Sequence, residues 1–165
     1  MASILVEFFR HNLWANLQML DVCAGLSDDV LDAETPGTYG SIRATLMHLA
    51  GAQGRYVEAL TGNPPSPAVR ETDPFPGFPT LRESVQRSSE TLIEIAEQSC
   101  EDRIVRGIRR GQPFAMPASV FLLQAINHAT EHCAQIATIL GQRGINPPDI
   151  DSWAFHEAGH SALKE

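Results

Sequence analysis

The sequence predicts an all-α fold, a four-helix bundle with a long crossover between the second and third helices. Four segments place apolar residues at helical spacing, and proline and glycine separate these segments. No segment alternates convincingly enough to predict a sheet, which leaves helices packing on helices as the natural architecture. The chain has 165 residues, 43% of them apolar, enough for a single core. We therefore expect one domain over residues 1–150 and a C-terminal tail over residues 151–165.

The first two predicted helices have clear boundaries. The first runs from about Ser3 to Ala24, and its apolar stripe consists of Phe9, Leu13, Leu17, Leu20 and Ala24. The second follows Ser41, a residue type that caps helix N-termini, and ends at Thr61 because Gly62 and two prolines follow. Its predicted stripe consists of Ile42, Leu46, Leu49 and Leu60.

The third helix is separated from the second by a segment that contains six prolines and two glycines between Gly62 and Pro79. Such a composition predicts an irregular crossover, because proline fixes its own backbone and cannot donate a hydrogen bond. Thr80-Leu-Arg-Glu83 then matches a capping box, which predicts the start of the third helix. Its apolar positions are Leu81, Val85, Leu92 and Ile95.

The segment between Glu101 and Gln112 alternates in a way that fits either a short strand pair or an exposed loop. Pro117 suits the first position of the fourth helix, which we expect to run to about Leu140. Gly141 and Gly144 then end it, and the sequence Asn-Pro-Pro over 146–148 prevents it from resuming.

The charge and the cysteines exclude several classes of partner and location. The chain has 12 basic and 20 acidic residues, a net charge of −8, which argues against nucleic-acid binding. Cys23, Cys100 and Cys133 cannot all pair with one another and lack zinc-binding spacing, which fits free thiols in a reducing cytoplasm. Glu7 and Arg10 interrupt the first apolar stretch, and no apolar run reaches 18 residues. We expect a cytoplasmic protein with no membrane or nucleic-acid partner.

Two histidines in the fourth helix have metal-binding spacing. His128 and His132 lie four residues apart, so their side chains share one helical face and can converge on one ion. His48 is the best candidate for a third ligand, because it also lies within a helical apolar pattern. The alternative is that each imidazole hydrogen-bonds a polar core group or lies at the solvent edge. Three histidines without an obvious fourth ligand resemble a catalytic rather than a structural site, although imidazole suits zinc, nickel, copper and iron alike.

Several neighbouring residues refine this hypothesis. His48 has small neighbours that leave space for a ligand, namely Ala44, Thr45, Gly51 and Ala52. Glu131 and Gln135 are candidates to orient the ligand imidazoles, with solvated or interhelical roles as the alternative. Cys133 points about 100° away from the histidine face, so we predict a packed core thiol rather than a nucleophile.

The C-terminal sequence His156-Glu157-Ala158-Gly159-His160 spells HExxH, the pattern of zinc metalloproteases. That motif requires a helix packed in a core and a third ligand further on. Only five residues follow His160, and the preceding residues 152–155 have little room to become a buried element. We predict that this segment is not a metal site.

The chain resembles the DinB/YfiT-like superfamily of metalloenzymes from the first helix to about Phe155. The resemblance is carried by residues 11–16 (HNLWAN) with Leu20, 26–29 (LSDD), 41–48 (SIRATLMH), 127–128 (NH) with His132 and Gln135, and 144–149 (GINPPD). It implies a four-helix bundle with crossed connectivity, a nickel or zinc ion held by His48, His128 and His132, and a homodimer. Many relatives carry a basic or other polar residue where this chain has Cys133.

The resemblance also implies a function, since several members look like transferases or isomerases that activate a low-molecular-weight thiol such as bacillithiol or mycothiol. Our leading hypothesis is therefore a metal-dependent enzyme that transfers such a thiol to a small electrophilic substrate. The alternatives are a metal-dependent hydrolase using a metal-bound water and a non-catalytic metal-binding or small-molecule-binding bundle. No catalytic residue is assigned beyond the ligands, and Gln135, Asn127 and Trp14 are the first to test.

Overall fold

The computed structural model describes residues 3–98, 102–109 and 111–160, and most of them are helical. The elements in chain order are α1 (Ile4–Ala24), α2 (Asp28–Leu31), α3 (Ile42–Thr61), α4 (Phe78–Gln98), β1 (Ile104–Arg109), β2 (Gln112–Pro117), α5 (Ala118–Gln142) and α6 (Ser152–Phe155). The mostly helical fold predicted from the sequence is confirmed. None of the helices within the described residues is long and apolar enough to cross a membrane.

The four long helices pack against one another around a continuous apolar interior. Helices α1 and α3 each contact both α4 and α5. One core cluster joins the C-terminal part of α1 to the first half of α3 and the end of α5, and a second joins the N-terminal part of α1 to the hairpin and the start of α5. The contact between α3 and α5 matters most for function, because these helices carry the predicted metal ligands.

The ends of α1 and α3 follow the sequence closely. Ser3 accepts a hydrogen bond from the Val6 backbone N–H, and Ser41 accepts one from the Ala44 backbone N–H. Both serines thus satisfy a backbone donor that has no partner within the helix. Gly62 ends α3 in the left-handed region at a φ of 82°, a conformation that glycine adopts without steric cost.

The predicted stripe of α1 is partly wrong, because Leu13 and Leu17 are only partly buried and Ala24 is exposed. Two asparagines occupy the interior instead. Asn16 is 2% exposed, and its amide nitrogen donates to the Asn12 side-chain oxygen at 3.1 Å, so each of these side chains has a hydrogen-bond partner in the core. Counting only apolar residues therefore misplaced the buried face.

The capping box predicted for the third helix is wrong. Helix α4 begins at Phe78, and its first turn is closed by the Leu81 N–H, which donates to the Gly77 carbonyl at 3.1 Å. Pro79 lies in this first turn, where a missing N–H costs nothing. Thr80 and Glu83 therefore lie inside the helix rather than at its cap.

The segment before α5 is a strand pair, one of the two structures that its sequence allowed. Strands β1 and β2 pair in antiparallel register, with Ile104 opposite Pro117 and Arg109 opposite Gln112. Pro117 is therefore the last strand residue, and α5 begins one residue later than predicted. The cap of α5 comes from before the hairpin, because Asp102 accepts hydrogen bonds from the Ser119 backbone N–H at 3.0 Å and hydroxyl at 2.6 Å.

The prediction that residues 152–155 would not be buried is wrong for Phe155, which is 7% exposed. Its ring packs edge-on against His11 at 5.4 Å and lies 5.6 Å from Trp14. The His11 Nε2 donates to the Ile150 carbonyl at 2.8 Å, which attaches this segment to α1 at a second point.

Candidate metal centre

The structure brings the three predicted histidines together between α3 and α5. The potential ligand atoms of His48, His128 and His132 all lie within 4.8 Å of one another. The His128 Nε2 lies 3.0 Å from the His48 Nε2 and 3.2 Å from the His132 Nε2. His132 is buried, and the other two rings are partly buried. The helical spacing placed two of these rings on one face, and the packing of α3 on α5 adds the third.

The two separations that involve His128 suit a shared metal ion. Zinc binds imidazole nitrogen at about 2.0–2.1 Å, so two nitrogens on the same ion lie about 3.0–3.4 Å apart, depending on the coordination angle. The two Nε2 to Nε2 distances, 3.0 and 3.2 Å, fall within that interval.

The protonation of His132 follows from its contact with Gln135. The Gln135 Oε1 accepts a hydrogen bond from the Tyr39 backbone N–H at 3.1 Å, which identifies that amide atom as oxygen because a backbone N–H can only donate. The same oxygen lies 2.9 Å from the His132 Nδ1, which must therefore be the protonated ring nitrogen. In the neutral tautomer with this proton on Nδ1, the Nε2 carries the lone pair.

The protonation of His48 follows from Glu71, a residue of the connection between α3 and α4. The Glu71 Oε2 lies 2.9 Å from the His48 Nδ1, although the direction of approach is not that of a regular hydrogen bond. Burial opposes ionisation of this carboxyl, but His48 and Arg55 together hold its pKa below the usual range. A carboxylate can only accept, so its position favours a proton on the His48 Nδ1, and the neutral ring with that proton carries its lone pair on Nε2.

His128 completes the set as a neutral ring. Burial, followed by the neighbouring His132 and His48, lowers its pKa to about 4, so the imidazole is uncharged near pH 7. Its Nε2 lies 3.0 and 3.2 Å from the other two Nε2 atoms, and a single N–H at that position can donate to only one of them. A cation at the centre of the three nitrogens satisfies all of them, so the residues fit a divalent transition metal.

The cluster is covered on one side by Tyr39, from the loop before α3. Its ring stacks on His48, with centroids 4.0 Å apart and planes inclined by 18°, and it meets the edge of His132 at 5.5 Å. The phenol hydroxyl donates to the Glu71 Oε2 at 3.3 Å. Burial and the nearby Glu71 carboxylate raise the pKa of Tyr39, which keeps the phenol protonated.

Sequence reasoning missed Glu71 and Tyr39, because both lie in irregular segments, where no helical repeat relates their side chains to His48. It also predicted space for a ligand beside His48 from small neighbours that include Gly51, and the connection between α3 and α4 packs against Gly51. A Cβ atom on Gly51 would lie 3.3 Å from the Glu71 Cγ and 3.4 Å from the Val69 carbonyl oxygen. Gly51 and Gly54, one helical turn apart, were the available signal, since glycine within a helix often marks a close approach of backbone.

Three other candidates lie away from the cluster or on its edge. Trp14 packs near His11 and Phe155 rather than against the three histidines. Asn127 is exposed on α5. Glu131 is also exposed and reaches the site only through Gln135, whose amide nitrogen donates to it at 3.4 Å.

Cys133 is a core thiol, as predicted. It is 3% exposed and donates to the Asn16 side-chain oxygen at 3.4 Å. Burial raises its pKa to about 12, so the thiolate required of a nucleophile does not form near pH 7. Cys23 and Cys133 are both free thiols, whereas Cys100 lies outside the described residues.

The HExxH segment lacks the geometry of a zinc-binding helix. His156 and Glu157 are exposed, and Gly159 has a φ of 76°, which interrupts the helix inside the motif. The regular turn that would place residues 156 and 160 on one helical face is therefore absent from this backbone.

Comparison with known proteins identifies the fold and the family of this chain. A crystal structure of a DinB-like protein from Bacillus cereus ATCC 10987 is similar in fold, with a TM-score of 0.63 and 24% sequence identity, over 88% of this chain and 94% of that chain. No curated protein sequence matches this chain. The model of the DinB family matches residues 1–162. The chain therefore belongs to the DinB family.

Proposed function

We propose that this protein is a metal-dependent enzyme that activates a low-molecular-weight thiol and transfers it to a small electrophilic substrate. His48, His128 and His132 would be the ligands of a nickel or zinc ion. The four long helices would form the DinB/YfiT-type bundle, with residues 62–77 as its crossover. A cytoplasmic homodimer without nucleic-acid partners is part of the proposal, and light scattering after size-exclusion chromatography checks the dimer.

The observation that carries the proposal is that one ligand atom from each of three imidazoles lies within 4.8 Å of the other two. Two of the rings are held in the ligand tautomer, His132 by Gln135 and His48 by Glu71. Among residues 3–98, 102–109 and 111–160, the cluster contains these three histidines and no further cysteine or acidic ligand. Structural zinc sites normally have four protein ligands, so a three-ligand set supports a site with exchangeable positions.

A divalent ion held by these rings would supply Lewis-acid chemistry, lowering the pKa of a bound thiol so that it reacts as the thiolate. The protein supplies orientation and shielding. Gln135 and Glu71 fix two rings, and the stacked ring of Tyr39 covers His48 from solvent.

The engagement of Glu71 supports thiol transfer over hydrolysis. Its Oε1 lies 2.5 Å from the Arg55 Nη2, and its Oε2 faces His48 and accepts from the Tyr39 hydroxyl. A carboxylate occupied in this way, with a lowered pKa, is a poor general base for removing a proton from water. A thiol requires less help, because its free pKa of about 8.5 is already close to neutrality.

The test begins with protein purified without a histidine tag. Metal analysis should find a bound transition metal, and added Zn²⁺ or Ni²⁺ should raise the melting temperature of the chelator-treated protein. With Co²⁺ in the site, addition of a low-molecular-weight thiol should produce a charge-transfer absorption band. Absence of any metal effect refutes the proposal. Thiol-independent ester or amide turnover would favour a hydrolase, and metal binding without any response to thiol or substrate would favour a non-catalytic binder.

A further inference from the structure

We propose that Glu71 is a positioning residue of the metal centre. The crossover, residues 62–77, holds Glu71 there by packing on α3 at Gly51 and Gly54. This inference rests on the proposed function, because it assumes that His48 binds metal. It assigns to the proline-rich crossover a role in setting the metal affinity.

The Glu71 carboxylate contacts three other side chains. The Glu71 Oε2 lies 2.9 Å from the His48 Nδ1 and 3.3 Å from the Tyr39 hydroxyl. The Glu71 Oε1 lies 2.5 Å from the Arg55 Nη2. A single side chain thus connects the crossover to a ligand ring, to the aromatic cover of that ring and to an arginine of α3.

The crossover packs closely on α3 around Val69. Val69 is buried and packs within the core cluster of α1, α3 and α5. On either side of it, the crossover crosses α3 at two glycines. A Cβ on Gly51 would lie 3.3 Å from the Glu71 Cγ, and one on Gly54 would lie 3.3 Å from the Pro65 Cγ. The absence of side chains at these positions lets the crossover lie close enough for Glu71 to reach His48.

The two orienting groups, Gln135 and Glu71, differ in where they lie relative to the histidines that they contact. Gln135 holds His132 from the same helix, three residues away, so that contact persists wherever α5 is intact. Glu71 holds His48 from a separate segment, so that contact exists only while the crossover is seated. Outer groups that orient a metal-binding histidine typically change metal affinity by about 10- to 100-fold. The metal affinity should therefore depend on residues of the crossover and of the α3 surface on which it packs.

The main experiment compares Glu71→Ala with Glu58→Ala, which removes an exposed carboxylate from α3 as a matched control. Affinity for Zn²⁺ and Co²⁺ is measured by competition with a chelating indicator, together with the visible spectrum of the Co²⁺ protein. Glu71→Ala should lower the affinity by about 10- to 100-fold and shift the Co²⁺ absorption bands. Glu71→Gln should recover part of the affinity, because an amide oxygen can still lie beside the imidazole N–H. Glu58→Ala should behave as wild type.

A second pair of variants tests the contact between the crossover and α3 without changing the Glu71 carboxylate. Gly51→Ala should push the crossover away and weaken metal binding in the same direction as Glu71→Ala, by a smaller factor. Gly141→Ala makes the same change in α5, where an added Cβ meets no atom within 4 Å, and should leave the affinity unchanged.

The outcomes separate the inference from the function beneath it. If wild-type protein binds neither Zn²⁺ nor Co²⁺, the proposed function fails. If wild type binds metal while Glu71→Ala retains both its affinity and its Co²⁺ spectrum, the inference is overturned and the proposed function stands. Should Glu71→Ala fail to fold by circular dichroism, Gly51→Ala decides, since an affinity equal to that of Gly141→Ala would overturn the inference.

Discussion

Helix α3 carries two polar clusters that face different neighbours, and they differ in how their hydrogen bonds are arranged. Gln53 faces α4 and is 3% exposed. Its amide nitrogen lies within hydrogen-bonding distance of the Val85 carbonyl at 3.1 Å, the Ser88 hydroxyl at 2.7 Å and the Ser89 hydroxyl at 2.8 Å. His48 lies five residues earlier and faces α5, where its Nε2 lone pair meets another imidazole nitrogen at 3.0 Å.

The arrangement of donors and acceptors distinguishes a structural polar cluster from a binding site. In the Gln53 cluster, donors meet acceptors, so the buried amide is satisfied by the protein alone. In the histidine cluster, the His128 Nε2 lies between two other imidazole nitrogens and can donate to only one of them, so these contacts cannot satisfy all three nitrogens. The second arrangement is favourable when a cation is shared among the nitrogens. Burial of polar groups is common to both clusters, and the pairing of protons separates them.

The largest expected effect comes from removing a ligand. His132→Ala should lower metal affinity more than about 100-fold, because even outer partners of ligands are worth 10- to 100-fold. Wild type should gain about 2.7 kcal/mol of stability when free Zn²⁺ is 100 times its Kd, and the variant should gain almost nothing at that concentration. Thermal unfolding with and without Zn²⁺ measures the difference. His156→Ala, in the HExxH segment, is the control, and a loss of metal binding in that variant would contradict the site assignment.

The second prediction concerns the satisfied cluster. Gln53→Ala should destabilise the protein by about 2–3 kcal/mol, because it opens a cavity and removes the amide that joins α3 to α4. Urea unfolding of the metal-free protein measures this change. Metal affinity should stay within about twofold of wild type, since Gln53 faces away from α5 and independent sites usually act additively. A large loss of affinity would show that the two clusters are coupled and would break the comparison.

The third prediction uses pH to separate the clusters. The unfolded chain takes up a proton on His128 near pH 6.5, whereas the folded protein does so only near pH 4, mainly because of burial and then of the neighbouring His132 and His48. Stability of the metal-free protein should therefore fall as pH drops from about 6.5 to about 4. The contribution is about 1–2 kcal/mol after allowance for partial exposure of the ring.

Urea unfolding between pH 7 and pH 4 tests this prediction in the presence of a chelator. His128→Gln should flatten the slope, because its side chain does not titrate in this interval. Ser89→Ala should keep the wild-type slope, since the Gln53 cluster contains no group that titrates there. An unchanged slope in His128→Gln would show that another group governs the acid sensitivity.

The smallest expected effect is that of Ser89→Ala, which removes one of the acceptors around the Gln53 amide. We expect a loss of about 0.5–1 kcal/mol, because the amide nitrogen keeps the Val85 carbonyl and the Ser88 hydroxyl as partners. Chemical denaturation should resolve this change from that of Gln53→Ala. A loss as large as that of Gln53→Ala would indicate that the cluster behaves as a single cooperative network.

Local features of the fold and of the site could be predicted with good accuracy. Ser41 and Gly62 bound α3 as expected, because helix caps depend on the residues next to them. The capping box at Thr80 failed for a related reason, since Gly77 and the proline at position 79 offered an earlier start to the helix. The cap of α5 by Asp102 could not be foreseen, because the hairpin that brings the two residues together is itself a tertiary arrangement.

The sequence by itself determined that His128 and His132 share one face of a helix, because the helical repeat fixes the relation between residues four apart. It also indicated His48 as the third member of the set. Tertiary packing alone brings ligand atoms of all three histidines within 4.8 Å of one another, and it places Glu71 against the His48 Nδ1 and Gln135 against the His132 Nδ1. The physical reason is distance along the chain. A contact between elements depends on the packing of the whole core, and here the connection between α3 and α4 packs closely against Gly51.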